Sequence, residues 1–153
     1  MKVLSAKNVS TAFNIAIVVS RFNEEITAKL EEGALERLRE LGFSSDRITI
    51  ATVPGAVEIP ITAQRLAKSG RFEVIVCLGA VIYGETRHFD YVCDQVTQGC
   101  QRVALDHDLP VVFGVLTTDT LAQALERVGG KKGHAGRSAI DTAMEMVSVL
   151  SQI

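Results

Sequence analysis

The stretch EVIVCLGAV, residues 73–81, decides the fold, because it is almost continuously apolar. A strand with one face in water alternates apolar and polar residues. A run without that alternation is typical of a parallel strand that helices cover on both faces. We therefore expect residues 73–81 to lie in the middle of a parallel sheet.

Similar apolar runs surround this stretch at 14–20 (NIAIVVS), 47–53 (RITIATV) and 110–116 (PVVFGVL). Segments with apolar residues at helical spacing separate the runs and follow the last one. These segments predict helices at about 24–41, 57–68, 88–105, 120–128 and 137–150. The alternation predicts a single α/β domain over residues 1–153. We expect a three-layer sandwich of flavodoxin-like topology, with a central, mostly parallel four-stranded sheet and helices on both faces.

Local signals mark several of the predicted helix ends. Asn23 is a candidate N-cap for the first helix, and Gly42 and Gly70 stand where helices should stop. Thr120 and Gln123 have the spacing of a capping box, which predicts a helix start.

Composition and charge exclude several classes of function. The net charge is −2 and no segment is rich in lysine and arginine, so we expect no nucleic-acid partner. The longest apolar stretch, 74–83, is too short to span a bilayer, and the N-terminus lacks the apolar core of a signal peptide. Cys77, Cys93 and Cys100 match no zinc or redox spacing. We therefore expect free thiols, no metal and a cytoplasmic location.

Polar or aromatic residues follow all four predicted strands, at the edge where open parallel sheets bind ligands. The segments are SRFN (20–23), PGAVE (54–58), GETRH (84–88) and TTDT (117–120). The Thr86 hydroxyl and the exposed N–H groups at the start of the helix that GETRH opens predict an anion site. His88, at the end of this segment, is the candidate acid–base group. His107, near the end of the same helix, is predicted to be structural.

Several candidates have a structural and a functional interpretation. Phe22 is either a hydrophobic staple at a helix start or a platform on which a flat heterocycle stacks. Glu58 either compensates a helix dipole or accepts hydrogen bonds from a ligand. Arg127 is either a surface residue near a helix end or a clamp for an anion. His134 lies in a Gly/Lys loop, where both interpretations stay open.

Taken together and in this order, five segments resemble lumazine synthase over essentially the whole chain. They are SRFNEEIT (20–27), VPGAVEIP (53–60), LGAVIYGETRHFDYV (78–92), FGVLTTDT (113–120) and ALERVGGKKGH (124–134). The resemblance implies a transferase of riboflavin biosynthesis. That family condenses 5-amino-6-(D-ribitylamino)uracil with 3,4-dihydroxy-2-butanone 4-phosphate to 6,7-dimethyl-8-ribityllumazine, phosphate and water, the penultimate step of the pathway. It uses no cofactor and no metal.

The resemblance also implies roles for residues that bind the pyrimidine and its ribityl chain. Phe22 would stack on the pyrimidine, Asn23 and Glu58 would face the ribityl chain, and Phe113 would close the pocket. Backbone groups near four further residues would read the polar edge of the ring: Ala56, Val57, Val81 and Ile82.

For the second substrate, the resemblance implies a phosphate site and a proton carrier. Gly84, Glu85 and Thr86 would hold the phosphate through backbone N–H groups, joined by the side chain of Arg127. His88 would move the protons. In the family Phe113 and Arg127 come from the neighbouring subunit, so a homopentamer is the smallest complete unit. The resemblance leaves open whether twelve pentamers form an icosahedral shell and whether riboflavin synthase is a partner.

The chain departs from the family pattern at three positions. Ala135 and Ser138 stand where many members have lysine and glutamate, and Tyr83 stands where arginine is common. Lys131 and Lys132 are candidates to compensate for the missing lysine. These departures concern phosphate binding and turnover more than the fold.

Three alternatives remain beside the synthase. One is a flavin-binding or shell-forming relative without catalysis, which the alanine at 135 favours and the presence of His88 opposes. Another is riboflavin synthase of the archaeal type, which uses two lumazine molecules and no phosphate substrate. The third, a flavodoxin-like electron carrier, requires a phosphate loop where this chain has the acidic SRFNEE, residues 20–25.

Overall fold

A computed structural model describes residues 1–153 and confirms the α/β prediction. The strands are β1 (Ile15–Ser20), β2 (Ile48–Val53), β3 (Val74–Ile82), β4 (Val111–Thr118), β5 (Val128–Gly130) and β6 (Gly133–His134). The helices are α1 (Glu24–Glu40), α2 (Ile59–Lys68), α3 (His88–Asp106), α4 (Leu121–Leu125) and α5 (Ala135–Leu150). Two 3-10 turns, Ser45–Arg47 and Ala56–Glu58, precede β2 and α2.

The main sheet has the strand order β2-β1-β3-β4, and all its pairs are parallel. Ile15 of β1 pairs with Ile48 on one side and Val74 on the other, so the strands run in step. Residues Val74–Val81 are all buried, as the uninterrupted apolar run predicts for a central strand. The carboxyl ends of the four strands therefore meet at one edge.

Two hydrophobic cores lie on opposite faces of the sheet. Alternate residues of β1 divide between them: Ile17 packs in the core beneath α1 and α5, and Val18 packs in the core beneath α2 and α3. Because successive side chains of a strand point to opposite faces, one continuous apolar run serves both cores.

Glycines allow the helices of each pair to approach closely. A Cβ atom on Gly136 of α5 would lie 3.0 Å from the carbonyl carbon of Leu30 in α1 and closer still to its oxygen. On the other face, a Cβ atom on Gly99 of α3 would lie 2.6 Å from the Pro60 ring in α2. Neither position has room for a larger residue without movement of a helix.

The helix-end predictions are partly confirmed. Gly42 and Gly70 follow α1 and α2 with φ of +78° and +67°, a conformation that glycine adopts without strain. Thr120 and Gln123 form the predicted capping box. Asn23 occupies the predicted N-cap position of α1, and its carbonyl accepts from the Ile26 and Thr27 amides. Its φ is +63°, however, and its side chain makes no capping hydrogen bond.

Other helix boundaries differ because the segment 126–135 is a hairpin. Strands β5 and β6 pair antiparallel around Gly129 and Gly133, which have φ of +105° and +79°. Helix α4 therefore ends at Leu125, and α5 begins at Ala135 instead of 137. The sequence predicts a Gly/Lys loop here and no strands, because glycine and lysine do not favour strands. None of the helices is both long and apolar enough to cross a membrane.

Candidate active site

A cavity of about 650 Å³ lies at the carboxyl edge of the sheet, between the ends of β1 and β3, the 56–58 turn and the start of α3. Its position is the one that the parallel sheet predicts. Ten of the thirteen predicted site residues line it: Phe22, Asn23, Ala56, Val57, Glu58, Val81, Ile82, Gly84, Thr86 and His88.

Phe22 is 72% exposed, although phenylalanine is normally buried. Two backbone hydrogen bonds hold its turn against the end of β2, because the Arg21 and Phe22 amides donate to the Val53 and Pro54 carbonyls over 2.9 and 3.0 Å. The exposure contradicts the staple interpretation, which requires a packed ring. A rigid turn instead presents the aromatic ring to the cavity, where a flat ligand can stack on it.

Asn23 connects the end of β1 to the end of β3. Its Nδ2 donates to the carbonyl oxygen of Ala80 over 2.8 Å, and its backbone is left-handed, a conformation that asparagine tolerates better than most residues. One of the two Nδ2 hydrogens is thus used, and Oδ1 stays available as an acceptor for a ligand hydroxyl.

Glu58 lies in the 3-10 turn, and its side chain is exposed at the cavity. Its amide donates to the Gly55 carbonyl over 3.3 Å, and its carbonyl accepts from the Thr62 hydroxyl over 3.0 Å. A Cβ atom at Gly55 would lie 3.1 Å from Glu58 Oε2, so the glycine leaves room for the carboxylate. The carboxylate can accept hydrogen bonds from ligand hydroxyl or N–H groups.

The loop that leads into α3 supplies free donors. The Thr86 hydroxyl accepts from the His88 amide over 3.3 Å, whereas the amides of Gly84, Glu85 and Thr86 have no acceptor within the chain. A Cβ atom at Gly84 would meet nothing within 4 Å. Open space beside unpaired loop amides that lead into the N-terminus of a long helix suits an anion such as a phosphate.

Cavity residues that the sequence analysis did not identify lie on α3 and at its start. Tyr91 and Gln95 follow His88 by three and seven residues, which places all three side chains on one face of the helix. Phe89 lines the cavity too and packs edge-to-face on Tyr83, with ring centroids 5.6 Å apart. The helical spacing from His88 was the signal that could have found Tyr91 and Gln95.

Glu85, Phe113 and Arg127 do not line this cavity. Phe113 lies on β4 and borders a second groove of about 530 Å³, which Ala135 and Ser138 of α5 also line. The Arg127 Nη1 donates to the Gln123 carbonyl over 2.8 Å. The two departures from the family pattern at 135 and 138 therefore lie beside Phe113, outside the cavity of their own chain.

The cysteines lie apart from these groups. All three are free, and a hydrogen bond with Cys100, together with burial, raises the pKa of the Cys77 thiol well above its ordinary value. A protonated, buried thiol is a poor nucleophile. No three His, Cys, Asp or Glu side chains are close enough together to hold a metal ion.

Comparisons with known proteins show the family of this chain. The family described as 6,7-dimethyl-8-ribityllumazine synthase matches residues 12–151. A protein of that name from Coxiella burnetii (strain CbuG_Q212) is 52% identical over 143 residues, which cover 94% of this chain and 95% of the relative. Another, from Protochlamydia amoebophila (strain UWE25), is 52% identical over 146 residues, or 95% and 84% of the two chains. The chain therefore belongs to the 6,7-dimethyl-8-ribityllumazine synthase family, a family of transferases of riboflavin biosynthesis.

Proposed function

We propose that the cavity at the carboxyl edge is where this chain joins 5-amino-6-(D-ribitylamino)uracil to 3,4-dihydroxy-2-butanone 4-phosphate. The products are 6,7-dimethyl-8-ribityllumazine, phosphate and water. One observation carries the proposal: an exposed aromatic ring, a histidine and unpaired loop amides share one cavity. Phe22 supplies the ring, α3 begins with the histidine, and Gly84 and Thr86 in the loop just before α3 supply amides.

In this proposal the pyrimidine stacks on Phe22, and its polar edge meets backbone groups near four residues: Ala56, Val57, Val81 and Ile82. The ribityl hydroxyls donate to Glu58 and to Asn23 Oδ1, which the contact with Ala80 leaves available. Stacking on Phe22 fixes the plane of the pyrimidine ring, and the hydrogen bonds to Glu58 and Asn23 fix its orientation within that plane. The 5-amino group is thereby held in one orientation.

The phosphate of the second substrate binds at the start of α3. The amides of Gly84, Glu85 and Thr86, which have no acceptor within the chain, donate to its oxygens. The Thr86 hydroxyl accepts from the His88 amide and keeps its own hydrogen free for the phosphate. The helix dipole favours the negative charge.

His88 then transfers protons between the two bound substrates. The amine attacks the ketone and water leaves; phosphate then departs by elimination, and the second nitrogen closes the ring with loss of another water. Each step moves a proton that an imidazole can accept or return. Positioning is the larger contribution, because well-oriented reactants gain roughly 7–11 kcal/mol, whereas acid–base catalysis typically gives about 10²–10⁴-fold in rate.

A neighbouring copy completes this site with Phe113 and Arg127. Neither side chain lines the cavity of its own chain, which supports a shared site. We propose a homopentamer as the working unit and the cytoplasm as its location. Three free cysteines support that location, because reducing compartments preserve thiols.

The first test is an assay with both substrates and no added cofactor, beside a control without enzyme, because this condensation also proceeds slowly without a catalyst. We expect lumazine well above that background, and about a 10²-fold lower kcat in His88→Ala. His107→Ala, at the other end of α3, is the matched control and should keep the wild-type rate. A wild-type rate equal to background would refute the synthase and favour a flavin-binding or shell-forming relative, as would tight flavin binding without turnover.

A second test asks whether two chains share each site. Phe22→Ala and Arg127→Ala should each have low activity, and subunits of the two variants, mixed and reassembled, should regain roughly a quarter of the wild-type activity. Failure to regain activity would refute the shared site. Analytical ultracentrifugation measures the mass of the assembly, which is five chain masses for a lone pentamer and sixty for a shell. Co-sedimentation with riboflavin synthase tests whether that enzyme is a partner.

A further inference from the structure

The imidazole of His134 lies in a slot that two glycines leave open. A Cβ atom at Gly33 of α1 would lie 2.7 Å from Nδ1 of the ring and closer still to Cε1 and Nε2. At Gly129 of β5, a Cβ atom would be 3.7 Å from the ring Cδ2. Glycine is unfavourable inside a helix, so Gly33 requires a packing reason, and the imidazole supplies one. We call Gly33, Gly129 and His134 the histidine slot.

The slot accepts the neutral ring better than the charged one. Nδ1 is buried and has no hydrogen-bond partner, and protonation puts an N–H on this atom whichever tautomer is present. A buried N–H without an acceptor is unfavourable. Burial and the nearby Arg137 of α5 lower the pKa of His134 below its ordinary value of 6.5, against the weaker opposing effect of Glu36 and Glu32 on α1.

The slot is directly connected to Arg127. His134 pairs with Val128 across the hairpin, and the Ala135 amide donates to the Arg127 carbonyl over 2.8 Å. The Lys132 amide donates to the Glu126 carbonyl over 2.9 Å. These contacts join the turn of the hairpin and the residue after β6 to Glu126 and Arg127. Fixing His134 against α1 therefore fixes the backbone from which the Arg127 side chain extends.

We propose that His134 is a positioning residue for Arg127, and that protonation of His134 loosens the hairpin and weakens binding of the phosphate-bearing substrate. The proposal rests on the proposed function, in which Arg127 contributes to the phosphate half of a neighbouring site. His134 itself touches no substrate. Its effect should fall on the KM of one substrate and leave the KM of the other unchanged.

The test compares the wild type with His134→Asn, which has no titrating ring, from about pH 8 to about pH 5. Acidification should raise the wild-type KM for 3,4-dihydroxy-2-butanone 4-phosphate about fivefold more than the His134→Asn value. The KM for the ribitylaminouracil should change equally in both. Protonation of the substrate phosphate affects both proteins alike and cancels in the comparison. His107→Asn is the matched control and should follow the wild type.

Hydrogen exchange supplies a measure that does not depend on activity. The Lys132 and Ala135 amides should lose protection in the wild type on acidification, and in His134→Asn at every pH. Gly33→Ala, which closes the slot and keeps the histidine, should show the same loss. Equal pH dependence of the phosphate-substrate KM in wild type and His134→Asn, or unchanged amide protection, would overturn the proposal. If the wild type makes no lumazine, the proposed function fails, while amide protection still decides whether His134 holds the hairpin.

Discussion

The helix pairs on the two faces of the sheet differ in how completely they pack together. On one face, α1 and α5 meet at Gly136 and Leu30, and the ion pairs Arg37–Asp141 and Arg137–Glu40 cross between the helices at 2.7 and 2.6 Å. On the other face, α2 and α3 touch where Pro60 meets Gly99. The part of α3 before that contact lines the cavity instead.

This difference indicates that the α1–α5 face contributes mainly to stability and that the α2–α3 face contributes to ligand binding. The α1–α5 face closes its helix pair with backbone contact and charge pairs, and no predicted substrate residue lies in that contact. The α2–α3 face keeps an exposed Phe22, a left-handed Asn23 and unpaired amides at its open end. Such departures from good packing are expected where a site must remain accessible to a ligand.

The largest effect should come from Gly136→Ala. The new methyl group meets the backbone of Leu30, which cannot rotate away, so α1 and α5 must separate. Overpacking of this kind costs about 1–3 kcal/mol, and we expect a value near the upper end. Urea unfolding should show a lower midpoint with an unchanged slope. Gly84→Ala, at an open position, is the control. An unchanged midpoint in Gly136→Ala would contradict this prediction and show that α1 and α5 can separate without loss of stability.

Gly99→Ala makes the matching change on the other face and should cost less stability. Its methyl group meets the Pro60 side chain, not a backbone carbonyl, so α3 can shift by a few tenths of an ångström. Because α3 carries His88, Tyr91 and Gln95, the shift should change the KM for the ribitylaminouracil as well. Steady-state kinetics beside urea unfolding measures both effects. A loss of stability without any kinetic change would contradict the link between this contact and the cavity.

The smallest effect should be the pH dependence of stability that His134 contributes to the α1–α5 face. The pKa of His134 is lowered in the folded chain, so the unfolded chain binds the proton more readily. This contribution is complete above the ordinary value of 6.5 and is lost as the pH falls below it. Melting temperatures of the wild type should therefore fall more steeply below that pH than those of His134→Asn. Parallel curves would show that His134 does not titrate differently on folding.

Much of the fold and part of the site could be predicted from local sequence. The continuous apolar run predicts a central parallel strand, because a strand that is buried on both faces contains few polar residues. Residues 74–81 are buried in β3 as expected. The carboxyl-edge rule then placed Phe22, Glu58 and His88 together, and one cavity contains all three. The β5–β6 hairpin could not be predicted from local sequence, because its glycines and lysines do not favour a strand. Its shape depends on positive φ at Gly129 and Gly133.

By itself, the sequence determined the order of strands and helices, the edge that carries the chemistry and the family to which the chain belongs, since periodicity and motif order are properties of the chain. Only the tertiary structure decided that the Asn23 side chain binds the Ala80 carbonyl instead of capping α1, that Phe113 and Arg127 lie outside the cavity of their own chain, and that His134 fits over Gly33. The physical reason is that each of these facts is a distance between residues far apart in the sequence. Such distances depend on how closely helices and strands pack, which no local pattern records.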